Sequence, residues 1–200
     1  MIRDAVKGDS EGIAHIYNYY IENTAISFEE TPVSGTDIER RIENVQMAGL
    51  PWMVAVEDYA VVGYAYATKW KERSAYRFSA EVSVYLSNQV QGRGLGASLY
   101  ETLFSKLKEG GINTVIGGIT LPNPASVALH EKMGMKKVAH FENASGIQSM
   151  IATRVCSVIS NGTGRCVFCC ITMARGDMRV PWAISRTCQL TRSQPLICYR

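Results

Sequence analysis

Three glycines fall within five residues in Gln91-Gly92-Arg93-Gly94-Leu95-Gly96, four residues after the apolar run Val82-Ser83-Val84-Tyr85-Leu86. A glycine turn between a strand and a helix start bares several backbone N–H groups. The helix dipole adds partial positive charge there, so a phosphate is well received. Glycine is needed because a Cβ would block the close approach of a pyrophosphate. Arg93 adds a full charge. Gly92-x-Gly94-x-x-Ala97 also fits the dinucleotide fingerprint formally. That fingerprint belongs on the first strand of a βαβ unit, with an acidic residue about 20 positions later. Here several strands precede it, and the later region reads Val115-Ile116-Gly117. A Walker loop is excluded too, because no Gly-Lys-Ser/Thr follows.

Glu81 stands at the head of the run that leads into this turn, in an aromatic-rich stretch. Partial burial lifts a carboxylate pKa toward neutrality, where it can take a proton from an ammonium group. Taken alone, the same residue is more simply a solvated strand-edge glutamate. His130 titrates near neutral pH; proton transfer and plain helix packing both remain open for it.

Hydrophobic periodicity supplies the elements that must hold these residues. Strands are predicted over 2–6, 52–57, 61–70, 78–86, 115–121 and 138–141. Residues 58–59 turn a hairpin between the second and third. Helices are predicted after Asp9 as N-cap, over 36–48, from Leu95 to the Gly110-Gly111 stop, and over 125–133. Antiparallel strands come first and a β-α-β-α unit follows. That order is α+β with a mixed sheet, not a doubly wound fold. The aromatics Tyr19, Tyr20, Tyr64 and Tyr66 read as core or dimer surface, and His15 and His140 as ordinary surface residues.

Composition divides the chain. Residues 1–142 carry 14 Lys+Arg and 17 Asp+Glu, whereas 143–200 carry seven Arg and one Asp. The second stretch also holds all six cysteines. Two unlike segments are expected, 1–142 and 143–200. No window is apolar for the 18 or so residues a membrane span needs. A secretory leader is also lacking at the start, so a cytoplasmic protein is expected. The folded part is acidic and the arginines of the second stretch are scattered, which argues against nucleic acid.

Gln91-x-x-Gly94-x-Gly96 after an apolar strand is similar to the pyrophosphate loop of the GNAT N-acetyltransferases. The chain further resembles their phosphinothricin and methionine sulfoximine acetyltransferase branch. The resemblance covers residues 2–142 and is carried by five stretches. These are Ile16-Tyr17-Asn18, Ser27-Phe28-Glu29, Trp70-Lys71-Glu72-Arg73-Ser74-Ala75-Tyr76-Arg77, Ala80-Glu81-x-Ser83-Val84-Tyr85 and Leu121-Pro122-Asn123-x-Ala125-Ser126-x-x-Leu129-His130-Glu131.

The resemblance implies a GNAT-type mixed, mostly antiparallel sheet flanked by helices. It implies acetyl-CoA as co-substrate and transfer to the α-amine of a small amino acid or analogue. Backbone groups of Val84, Tyr85 and Leu86 would bind the acetyl-pantetheine arm, with Asn123 on its other side. Gly92, Arg93, Gly94, Leu95, Gly96 and Ala97 would hold the pyrophosphate. Glu81 becomes the general base, His130 an aid to proton transfer, and Phe28, Arg73 and Tyr76 the substrate pocket. A guanidinium there pairs bidentately with a carboxylate or phosphinate. With no cysteine in 1–142 to carry the acetyl group, transfer is direct. A homodimer is implied and no metal is.

After Glu142 the resemblance stops. The branch's final Gly-Phe-Lys-x-Gly-x-Trp hairpin is not present as sequence; Asn143-Ala144-Ser145-Gly146-Ile147-Gln148 and the Cys- and Arg-bearing stretch stand there. A changed reading frame is the first explanation, a genuine appended segment the second. A metal module on Cys166-x-x-Cys169 comes last, because no second ligand pair follows. Loss of the hairpin would expose a sheet edge and forfeit ~1.5–3 kcal/mol for each core side chain lost. A catalytically impaired CoA-binding protein is therefore the alternative to an enzyme.

Overall fold

The computed structural model describes residues 1–27, 29–144 and 147–156, with side chains described over 1–27, 29–142 and 150–154. The strands are β1 (Ile2–Asp4), β2 (Trp52–Glu57), β3 (Ala60–Lys69), β4 (Ser79–Leu86), β5 (Thr114–Thr120), β6 (Lys136–Ala144) and β7 (Ile147–Cys156). They form one sheet in the order β1-β2-β3-β4-β5-β7-β6. Every neighbouring pair is antiparallel except β4 with β5. The α+β, mostly antiparallel sheet read from the sequence is the architecture observed.

Helices α1 (Ser10–Asn23) and α2 (Gly35–Met47) cover one face, and α3 (Leu95–Glu109) and α4 (Pro124–Lys132) the other. In α1, Ile13, Ile16, Tyr17 and Tyr20 recur at helical spacing and are buried. Asp9 occupies its N-cap position but makes no cap bond. Its buried carboxylate instead accepts from Val6 N at 2.8 Å and pairs with both Arg3 nitrogens at 2.7 Å. Ser34 does cap α2: its Oγ accepts from Asp37 N while the Asp37 carboxylate accepts from Ser34 N. Such a reciprocal box contributes about 1 kcal/mol.

Strand alternation splits the core in two. Ala80 and Val82 of β4 pack with Leu99, Tyr100, Leu103 and Val115 under α3. Tyr85 packs with Tyr17, Tyr20, Trp52 and Tyr64 under α1 and α2. Glu81 and Ser83 alternate with the α3-facing residues and so belong to the α1/α2 face.

The pairing of β4 is uneven. It runs beside β3 from Ala80 to Leu86, but it pairs with β5 only at Ser79, Ala80 and Glu81. From there β5 continues to Thr120 in register with β7. The two parallel strands therefore part immediately after Glu81 and Ile116, leaving a fork inside the sheet.

The expected loss of a final hairpin is corrected. β6 crosses residue 142, and β7 lies between β5 and β6, antiparallel to both. A ladder needs extended backbone and an alternating face, not a particular motif. Ile151 and Thr153 supply the buried face of β7. The rest of the 143–200 reading, including Cys166 and Cys169, lies outside the described residues. No helix among those described is long and apolar enough to cross a membrane.

Candidate active site at the strand fork

On the α3 side of the fork lies the glycine turn. Gly92 and Gly94 adopt φ +78° and +79°, the left-handed region that favours glycine. A Cβ at either would meet nothing within 4 Å, so their outer side is open. Gly94 is the N-cap of α3, and its carbonyl accepts from Ala97 N and Ser98 N. The N–H groups of Leu95 and Gly96, ahead of these bonds, have no intrahelical partner. Gly96 is different: a Cβ there would sit 3.1 Å from Leu129 Cδ2, so it lets α4 approach α3 closely. Arg93 turns outward and pairs with Glu57 at 3.1 Å. Gln91 donates to the Tyr20 hydroxyl, which donates to the Leu86 carbonyl at 2.6 Å, tying the turn to the end of β4.

Asn123 caps α4, its Oδ1 accepting from Ser126 N at 3.1 Å, which leaves its amide N–H₂ as a donor. His130, one turn beyond Ser126 on α4, is buried. Its Nδ1 lies 2.7 Å from the Ser126 carbonyl. A carbonyl only accepts, so Nδ1 carries the proton and Nε2 accepts from the Tyr100 hydroxyl at 3.2 Å. Burial pushes the His130 pKa down, favouring this neutral ring. The ring lies against β5, where a Cβ at Gly117 would fall 2.7 Å from Nε2. Both nitrogens of the expected proton-transfer residue are thus engaged inside the α3/α4 core.

On the opposite face stands Glu81. It is half-buried, and burial raises its carboxyl pKa, with Lys71 pulling weakly the other way. Around it rises an aromatic wall. Trp52 stacks on Tyr66 at 4.3 Å, Tyr64 on Tyr85 at 5.4 Å, and Tyr17 meets Tyr85 edge-on at 5.1 Å. Burial pushes the Tyr66 hydroxyl up to about 12. The segment between α1 and α2 is held over this wall. Glu29 accepts from the Tyr17 hydroxyl and from both Arg41 terminal nitrogens, at 2.7 and 3.0 Å. Phe28, assigned to the substrate pocket, lies outside the described residues.

Arg73 and Tyr76 sit in the β3–β4 connection. They line a cavity of about 310 Å³ with Lys69, Lys71, Arg77 and Lys106. Ser79 and Ile112 place it at the beginning of β4 and just before β5, and Glu81 is not among its lining residues. Lys71 borders the cavity, and its charge is the one that offsets part of the effect of burial on Glu81. The fork therefore brings together Glu81, Val84, Tyr85, Leu86 and the glycine turn, and keeps Glu81 and His130 on opposite faces.

Sequence reasoning missed Tyr100 and Gly117, which hold His130 in place. The Gly117-Gly118 pair within an apolar strand was the available signal, because such glycines mark close approach of another group.

The chain matches the family described as Acetyltransferase (GNAT) domain over residues 2–150. It is 38% identical over 133 residues to a phosphinothricin N-acetyltransferase of Streptomyces viridochromogenes, covering 66% of this chain and 72% of that protein. It is 33% identical over 138 residues to an L-methionine sulfoximine/L-methionine sulfone acetyltransferase of Salmonella typhimurium, covering 69% of this chain and 81% of that protein. Among solved structures, it is similar to a GNAT superfamily phosphinothricin acetyltransferase of Sinorhizobium meliloti in complex with acetyl-CoA. The TM-score is 0.74 and the identity 31%, over 78% of this chain and 88% of that one.

Proposed function

The chain belongs to the GNAT acetyltransferase family and is an N-acetyltransferase, and from that premise we propose that it acetylates the α-amine of a small amino acid or analogue. The substrate class is that of phosphinothricin or of methionine sulfoximine and sulfone. One observation carries the reading. β4 and β5 part directly after Glu81, with an open glycine turn on one side and a half-buried carboxylate on the other.

The residues fit acetyl-CoA. Gly92, Gly94 and the first N–H groups of α3 offer the pyrophosphate an uncluttered positive end. The part of β4 beyond Glu81 has no β5 partner, so backbone groups of Val84 and Tyr85 on that edge are available along the arm, while the Leu86 carbonyl reaches it only by giving up the Tyr20 hydroxyl. Asn123 keeps an amide donor for it. Arg93 reaches the phosphates only by giving up Glu57. When bound, acetyl-CoA supplies an electrophilic thioester carbonyl.

An α-amine is protonated at neutral pH and must lose a proton to attack. Glu81, its pKa raised by burial, takes that proton. The C–N bond forms as the C–S bond breaks. The second N–H proton leaves with the thiolate, and Glu81 passes its own proton to solvent. We assign His130 to this step as a positioning residue that seats α4, and with it Asn123, on β5. Lys71 and Arg73 meet the acceptor's acidic group, and Tyr76 borders them. A homodimeric assembly and a cytoplasmic location complete the proposal; sedimentation and cell fractionation test them.

The test is thiol release from acetyl-CoA with a panel of amino acids and phosphinothricin, for the wild type and Glu81→Gln. Turnover that collapses in the variant supports the reading. Undiminished turnover in Glu81→Gln removes the base, and no turnover by a wild type that binds acetyl-CoA removes the substrate class.

A further inference from the structure

Between Val115 and Thr120, β5 is buried at every residue except Gly118. The exposed point falls two residues beyond Ile116, the partner of Glu81, at the place where the strands have parted. A Cβ built on Gly118 would lie 3.9 Å from Glu81 Oε1 and 3.8 Å from Met150 Sδ, with no closer neighbour. A small gap is thus bounded by the carboxylate of β4, the bare backbone of β5 and a thioether of β7. It lies on the Glu81 face of the sheet, away from the His130 packing.

We propose that Gly118 and Met150 set the size of the acceptor amine, Gly118 by carrying no side chain and Met150 by closing the far side of the gap. The inference rests on Glu81 as the base. An amine nitrogen that gives its proton to Oε1 sits about 2.6–3.2 Å from it. With a C–N bond of about 1.5 Å, the carbon bearing that nitrogen falls within about 4 Å of the carboxylate. A methyl group at residue 118 would occupy the same shell. The acceptor's substituted carbon therefore takes the place of the missing Cβ. The substrate class that fits is a primary amine with limited bulk beside the nitrogen. Met150, flexible and unbranched, adapts to the remainder.

The geometry separates this role from a folding role. Gly118 is not among the glycines in the left-handed region, so alanine meets no backbone strain. Contacts of 3.8–3.9 Å are ordinary van der Waals distances, so alanine is also accommodated in the folded protein.

The experiment compares wild type, Gly118→Ala and Met150→Ala on the smallest and the largest amines the wild type acetylates, in a series from glycine to methionine sulfone. One methyl in a pocket changes discrimination by about 10-fold or more. Gly118→Ala is expected to shift the ratio of kcat/KM that far toward the small amine. Its Tm and acetyl-CoA affinity stay at wild-type values. Met150→Ala shifts the ratio the other way. An unchanged ratio, or an equal loss for all amines, overturns the proposal. Glu81→Gln is assayed alongside and reports on the base alone: it lowers every amine together. If it retained turnover, the base would fall, while the size ratios of the other variants would still be read independently.

Discussion

Gly117 and Gly118 are adjacent in β5 and face opposite sides of the sheet, and the two sides use a missing side chain differently. At Gly117 the space is filled: His130 Nε2, His130 Cδ2 and Thr153 Oγ1 all lie within 3.1 Å of where a Cβ would be. At Gly118, which is exposed, the nearest atoms stand back at 3.8 Å (Met150 Sδ) and 3.9 Å (Glu81 Oε1). On the α3/α4 side, then, glycine lets elements close on one another. On the α1/α2 side it leaves room that a methyl group could occupy at ordinary contact distances. The two titratable groups of the fork follow the same division. His130 is sealed in with both nitrogens satisfied, whereas Glu81 keeps an oxygen directed at the gap. Burial pushes both toward their neutral forms, His130 down and Glu81 up. Of the two, His130 is buried and Glu81 only half-buried.

The largest effect that tests this contrast is chemical. Glu81→Gln is expected to lower kcat/KM by about 10²–10⁴-fold while acetyl-CoA binding, measured by calorimetry, is retained. In the wild type the acid limb of kcat/KM should lie above the ordinary carboxylate range, because the raised pKa keeps the base protonated to higher pH. A loss of affinity equal to the loss of rate would merge the two faces into one site.

Next in size comes the adjacent pair. Gly117→Ala forces a methyl into His130 and should cost about 1–3 kcal/mol, seen as a drop in the urea midpoint. Gly118→Ala should leave that midpoint in place. Equal destabilisation by both would erase the difference between the faces.

A pH series sharpens the comparison further. His130 has a folded pKa below its unfolded value of about 6.5. The unfolded chain therefore binds more protons as pH falls, and the stability this residue contributes is present above pH ~6.5 and lost as pH falls toward its folded pKa. Glu81 runs the other way. Its folded pKa is raised, so its contribution is present below about 4.5 and lost as pH rises through the folded value. Denaturant midpoints followed downward from neutral pH should fall in the wild type, with a shallower slope in His130→Gln.

The smallest effect concerns Arg93. Its pair with Glu57 is exposed, so Arg93→Ala should change stability by less than about 0.5 kcal/mol. A larger change in the urea midpoint would mean that this pair, and not the glycine backbone, holds the turn in shape.

What the sequence alone determined was local. Repeats of 3.6 and 2 residues marked α1 to α3 and most of β1 to β6, and Pro122, Pro124 and Gly134 bracketed α4, because each depends on neighbours a few positions away. The glycine turn was legible for the same reason: left-handed φ at Gly92 and Gly94 is a requirement of that stretch of backbone. Glu81 was legible as a carboxylate at the head of a strand, through its match to a family pattern. The composition break after residue 142 misdirected, because β7 carries no familiar motif. Its pairing with β5 and β6 rests on backbone hydrogen bonds and on a buried face as modest as Ile151 and Thr153.

The tertiary structure alone decided the rest. Where β4 stops pairing with β5, which face each side chain occupies, and what approaches Gly117 and Gly118 depend on residues far away in the chain. A glycine has no side chain to announce its role, so that role is defined by its neighbours in space. For the same reason a histidine expected to move protons proved to be held between Ser126, Tyr100 and Gly117. Helical spacing brought it to α4, but only packing determined that both of its nitrogens would be engaged.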